Sequence, residues 1–196
     1  MKIKKLVLKR SGIVVGIIIV IVAAAAALLS LRTPKGEVFM QTNVGNITLQ
    51  LYSDKAPITV QNFENYVKDG FYDGTVFHRV VKGFVIQGGG FMSNGTQKPT
   101  SPPISLESNN GLSNVQYTIA MARTSDPNSA TSQFFINTAD NSFLDYNPQN
   151  PGYAVFGKVV SGFDTVDKIE NVPVATKYGM QDWPISNIII EKMNII

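Results

Sequence analysis

The sequence predicts a mainly β domain, one closed barrel with two capping helices, preceded by one transmembrane helix. Three observations predict it. Short runs of β-branched and aromatic residues recur along residues 37–196, separated by Gly, Pro and Asn, which is the pattern of many short strands. Only Asp54–Gly70 and Gly162–Ile169 read as helices in that part. Residues 12–31 form a run without a single charge, and a helix of that length crosses a hydrocarbon core of ~30 Å.

The chain divides accordingly. Residues 1–11 are a basic tail with Lys2, Lys4, Lys5, Lys9 and Arg10; residues 12–31 are the signal-anchor helix; residues 32–36 are a linker containing Pro34 and Gly36. Only Arg32 and Lys35 follow the apolar run closely, so the positive-inside bias puts the N-terminus in the cytoplasm and residues 37–196 on the extracytoplasmic side of the cell membrane. The alternative is a secreted protein, because Ala23–Ala27 offers small residues to a signal peptidase.

Composition excludes several chemistries. There is no cysteine, so disulfide frameworks, thiol nucleophiles and Cys-zinc sites are absent. The one histidine, His78, rules out a His-rich metal site. Residues 36–196 carry 10 Lys and Arg against 14 Asp and Glu, a net charge of −4. A mildly acidic domain without a basic stripe is not a nucleic-acid binder.

In order, Glu37–Tyr52 alternates apolar and polar residues around an Asn43-Val44-Gly45 turn, a β-hairpin. Asp54–Gly70 has Pro57 in its first turn, Phe63, Tyr66 and Val67 at helical spacing, and Gly70 beyond the end. Ser93–Thr96 is a turn and Lys98–Pro103 a loop; Gln116–Arg123, Ser132–Asn137 and Tyr153–Val160 read as strands, with polar loops at Thr124–Thr131 and Asn147–Gly152. Ile185–Ile196 is a strand-rich tail.

The stretch Val76–Phe91, V-F-H-R-V-V-K-G-F-V-I-Q-G-G-G-F, organises the rest. Gly83 permits a bend, and Gly88-Gly89-Gly90 a bulge or tight turn. Extended backbone puts Arg79, Val85 and Gln87 on one face, joining a cation, an apolar patch and a neutral amide. His78 reads as a structural histidine with a satisfied hydrogen bond, and Trp183 as core.

Together with A-M-A-R-T at 120–124, S-Q-F-F-I-N at 132–137, F-L-D at 143–145 and Y-A-V-F-G-K-V at 153–159, this stretch resembles a cyclophilin-type peptidyl-prolyl cis-trans isomerase, in its bacterial form. The resemblance covers about residues 36–196 and implies an eight-stranded antiparallel barrel closed by two α-helices, with a peptide groove on its outer face. It implies Arg79 as the catalytic arginine and Gln87 as the residue that positions it and the substrate carbonyl. Phe84, Val85, Phe135, Leu144 and Tyr153 would line the proline pocket; Ala122, Arg123 and Gln133 would line the groove for the residues before proline. Phe143 stands where many members have Trp, at a cyclosporin contact, which implies weak cyclosporin binding at most. Tyr153 stands for a common His, Val85 for a Met and Arg123 for an Asn.

The chemistry fits these residues. The X–Pro amide resists rotation by ~18–20 kcal/mol through resonance. Twisting it needs no nucleophile, metal or cofactor. Half-way round, the nitrogen regains its lone pair, and a permanently charged, rigid guanidinium can stabilise it. A dry pocket holds the ring meanwhile. The expected substrates are proline-containing unfolded or flexible chains outside the cytoplasm. The alternative is a peptide-binding chaperone that uses the same groove without turnover.

Overall fold

The computed structural model describes residues 36–196. The expected signal-anchor helix at 12–31, its basic tail and most of the linker lie outside the described residues. Among the described residues, no helix is long and apolar enough to cross a membrane.

The chain opens with the expected hairpin, β1 (Glu37–Thr42) and β2 (Gly45–Leu51), in which Thr42 pairs with Gly45. Helix α1 (Pro57–Lys68) follows, burying Val60, Phe63, Tyr66 and Val67. Its first-turn donors have no local cap. The Glu107 carboxylate, far along the chain, accepts from the Ile58 and Thr59 N–H groups at 3.1 and 2.8 Å, satisfying groups every helix start leaves open. Then come β3 (Thr75–Val81), β4 (Val85–Met92), β5 (Thr118–Met121), β6 (Phe134–Asn137), a 3-10 turn at Ser142–Leu144, β7 (Val155–Ser161) and α2 (Phe163–Glu170). A hairpin of β8 (Val174–Lys177) and β9 (Met180–Pro184) precedes the last strand, β10 (Ile190–Ile195).

Eight strands form one antiparallel sheet in the order β10-β1-β2-β7-β5-β6-β4-β3. Its ends meet through a bridge between Val76 and Ile189 and through hydrogen bonds from Gly74 N–H to Ile190 O (2.8 Å) and Phe77 N–H to Ile188 O (2.9 Å). The barrel is therefore nearly closed, where the sequence implied full closure. The β8–β9 hairpin stands outside this sheet and packs against β3.

Two local expectations change, and one open alternative is decided. The Gln116–Arg123 strand is shorter, because Tyr117 has φ 66° and left-handed backbone cannot continue a strand. The three glycines do not turn the chain; β4 runs through them to Met92. They form the bulge alternative, with the β3–β4 register slipping on both sides of Phe77. Gly89, at φ +82°, takes the left-handed position this needs. The β8–β9 hairpin was not expected at all.

Strand alternation produces two apolar layers from one sheet. Ile86, Ile119, Met121, Phe134, Ile136 and Phe156 point inward and join the barrel core beneath both helices. Their neighbours Val85, Ala120, Phe135 and Val155 point outward as a second buried cluster. An outward-facing apolar cluster on a barrel has no core to join, so something else must cover it or use it.

Candidate active site

Register lines up the outward residues. Arg79 pairs with Gln87 across β3–β4, Gln87 with Phe135 across β4–β6, Phe135 with Ala120 across β6–β5, and Ala120 with Val155 across β5–β7. Neighbouring strands lie ~4.8 Å apart, so the row runs from a cation through an amide to a ring and two small apolar residues.

A cavity of about 230 Å³ opens on this row. Arg79 and Gln87 form its polar side; Phe84, Val85, Phe135, Leu144 and Tyr153 form its apolar wall; Ala122 and Arg123 complete the rim. Phe135 and Tyr153 meet edge to face with centroids 5.6 Å apart. Phe143, expected at a cyclosporin contact, and Gln133, expected in the groove beside Ala122 and Arg123, do not line this cavity. Phe143 is 65 % exposed and stacks on Phe84 from outside at 5.7 Å. Gln133 lines a neighbouring polar cleft of about 310 Å³, which shares Gln87, Ala122 and Arg123 with the first.

Gln87 does not bond Arg79. Its Nε2 donates to Gln133 Oε1 at 3.0 Å, joining the two cavities. Arg123 donates to the carbonyls of Gly152 (2.9 Å) and Thr124 (2.8 Å) and lies 4.6 Å from the Tyr153 ring centroid. Its cation therefore braces the Tyr153 loop. The Arg79 guanidinium carbon is 5.7 Å from the Phe84 ring centroid. Among the described residues the one ion pair within 4.0 Å is Lys68–Glu64, so no described carboxylate neutralises Arg79.

His78, next to Arg79 in β3, faces the other way. It is buried against Phe91 and Trp183, with centroids at 4.7 and 6.0 Å. Burial lowers its pKa from 6.5 to about 4; the Val76 carbonyl opposes the shift and Arg79 adds to it. It is structural, as expected, but its Nδ1 has no well-formed hydrogen bond, contrary to the expected satisfied partner. Trp183 is fully buried, as core.

Sequence reading missed what holds the pocket wall. Asn141 Nδ2 donates to the Phe84 carbonyl (2.9 Å) and to Asn137 Oδ1 (2.8 Å), while Asn137 Nδ2 donates to Thr118 Oγ1 (2.9 Å) and Asn114 Oδ1 (3.3 Å). Nothing local in the sequence marks these asparagines. Also missed were Met180, Gln181 and Asp182 of β9, which with His78 and Arg79 line a further cleft. The Tyr178-Gly179 turn between short polar runs was the available signal. Among the described residues no group of three or more His, Cys, Asp or Glu side chains is placed to hold a metal ion.

A cation with no described carboxylate within 4.0 Å, beside a hollow of about 230 Å³ with an apolar wall, is an arrangement that can hold and polarise a proline amide. Comparison with known proteins decides the family. The family described as cyclophilin type peptidyl-prolyl cis-trans isomerase/CLD matches residues 37–195. The chain belongs to this family. It is 61 % identical over 143 residues to a peptidyl-prolyl cis-trans isomerase of Acinetobacter baylyi, covering 73 % of this chain and 76 % of that one. It is 50 % identical over 161 residues to peptidyl-prolyl cis-trans isomerase B of Escherichia coli, covering 81 % and 98 %. A crystal structure of a Cryptosporidium parvum cyclophilin-type isomerase, in the presence of the dipeptide Ala-Pro, superposes with a TM-score of 0.68 at 31 % identity, covering 82 % of this chain and 98 % of that one. This cyclophilin is thus a peptidyl-prolyl cis-trans isomerase.

Proposed function

We propose that the protein accelerates X–Pro rotation in exported or membrane-proximal chains, with Arg79 as the group that stabilises the twisted amide. The observation that carries this reading is Arg79 unneutralised at the edge of the 230 Å³ cavity walled by Phe84, Phe135 and Leu144. Phe135, Leu144 and Tyr153 seat the proline ring. Val85 and Phe84 exclude water. The guanidinium donates to the pyramidalising nitrogen, an interaction that the planar ground state cannot offer. Gln87, fixed to Gln133, presents its amide to the substrate backbone. Ala122, Arg123 and Gln133 flank the residues before proline. The Ala-Pro dipeptide used with the Cryptosporidium relative supports a proline-containing ligand for this groove.

Each ~1.4 kcal/mol of preference for the twisted state is tenfold in rate, so a thousandfold to millionfold acceleration asks for ~4–8 kcal/mol. One buried-facing guanidinium and a dry pocket supply effects of that size. The uncharged run at 12–31 supports a membrane tether that keeps this activity near emerging exported chains; their unaided prolyl isomerisation takes tens of seconds or more. With Phe143 exposed at the rim, cyclosporin binds weakly.

The test is a proline-peptide isomerisation assay on the full chain, with membrane fractionation of cells that express it. Turnover above background, in the membrane pellet, is the expected result. Peptide binding without turnover would instead favour a chaperone that uses the same groove, and recovery of the protein in the medium would favour the cleaved form.

A further inference from the structure

The β8–β9 hairpin puts an acidic residue at the flank of the catalytic arginine. Met180, Gln181 and Asp182 form, with His78 and Arg79, a cleft of about 390 Å³. Arg79 is the wall this cleft shares with the prolyl cavity. A peptide seated by its proline leaves the cavity in two directions. One leads past Gln87 into the polar cleft assigned above to the residues before proline. The other leads past Arg79 into the space beside β9.

Asp182 is built into place. Ala175 pairs with Trp183 and Lys177 with Met180, so Gln181 and Asp182 face the single residue Thr176 across a bulge. Bulges re-aim side chains and are frequent beside active sites. Asp182 has φ 59°, in the left-handed region. Its neighbour Trp183 is fully buried, packs against His78 of β3 with ring centroids 6.0 Å apart, and donates from Nε1 to Asn187 Oδ1 at 3.0 Å, which pins the bulge to β3 and to the segment before β10. Among the described residues Asp182 makes no ion pair within 4.0 Å. The one lysine of the hairpin, Lys177, is engaged with the carbonyls of Pro184 and Ile185 at 3.2 and 2.7 Å.

We infer that the Asp182 cleft receives the residue following proline and selects a basic side chain there over an acidic one. This inference rests on the isomerase reading of the Arg79 cavity. A lysine after proline pairs with Asp182 and leaves Arg79 free for the amide. A glutamate is repelled by Asp182 and drawn to Arg79, where it competes with the twisting nitrogen. Both effects act in the same direction on turnover, and exposed charge pairs of this kind make a difference of about three- to tenfold in kcat/KM.

The test uses the full chain in nonionic detergent and NMR exchange rates for three peptides, Ala-Ala-Pro-Lys-Ala and its Ala and Glu counterparts at the fourth position. The expected Lys-to-Glu ratio in kcat/KM is about three to ten. Asp182→Asn, which tolerates left-handed backbone equally, is expected to lower that ratio at least about twofold, the remainder being the attraction of glutamate to Arg79, and 1 M salt acting on the wild type is expected to bring it below about two. A ratio near one in the wild type, or one that Asp182→Asn leaves unchanged, overturns the inference while turnover of the alanine peptide leaves the isomerase reading standing. Absence of turnover with the alanine peptide overturns both.

Discussion

Asn141 Nδ2 donates a 2.9 Å hydrogen bond to the carbonyl of Phe84. That bond ties the turn carrying Leu144 to Phe84, the residue just before β4, and so joins two walls of the 230 Å³ cavity. Asn141 is 3 % exposed, and its amide also serves Asn137. Asn141→Ala leaves Asn137 Oδ1 short of a donor, and the Phe84 carbonyl keeps only the Thr138 N–H at 2.9 Å. The expected cost is about 1–3 kcal/mol in denaturant melts. KM for proline peptides should rise several-fold with a smaller change in kcat, because the wall moves and Arg79 does not.

His78 gives the stability a pH dependence. Its folded pKa, about 4, lies below the ordinary 6.5 because burial disfavours the charged ring. The unfolded chain therefore takes up a proton first as pH falls. The contribution is complete above pH 6.5 and is lost between 6.5 and about 4, up to about 3 kcal/mol at one unit per 1.36 kcal/mol. Urea melts at pH 7.5 and 4.5 should show this loss, and His78→Phe should shrink it.

Gly89 should resist substitution more than its exposed counterparts. A Cβ on it would lie 2.8 Å from Phe134 Cε1 and 2.9 Å from Tyr72 Cε1, on backbone at φ +82°. Phe134 and Tyr72 are themselves fully buried and have no room to retreat. Gly89→Ala should cost upwards of about 2 kcal/mol. Gly83→Ala, with nothing within 4 Å of its Cβ, should cost only the strain of its left-handed backbone. Thermal melts of the two variants compare the terms directly.

Much of this was legible in the sequence. Alternation around Ile47, Leu49 and Leu51, the Pro57 start of α1 and the Arg79–Val85–Gln87 face are local patterns, and local patterns survive folding. The glycines of β4 read two ways, because glycine permits a turn and a bulge alike; the register with β3 decides. Tyr117 delays the start of its strand to Thr118 through a left-handed φ that no aromatic residue advertises. The β8–β9 hairpin escaped notice since its strands are short and largely exposed, without apolar alternation. Asn114 reaches Asn137 and Asn141 only through the tertiary fold, and the four-residue step between the latter two falls outside any helix, so no regular spacing betrays their shared network. Phe143 carried its family position but not its exposure.

The most direct measurement compares wild type and Arg79→Ala, following both turnover of one proline peptide by NMR exchange and its Kd by titration. Loss of a guanidinium that acts on the twisted amide alone should lower kcat/KM by about 10²–10³-fold while Kd shifts by less than about tenfold. Equal turnover in the two proteins, or a fall in turnover matched entirely by weaker binding, would contradict a transition-state role for Arg79.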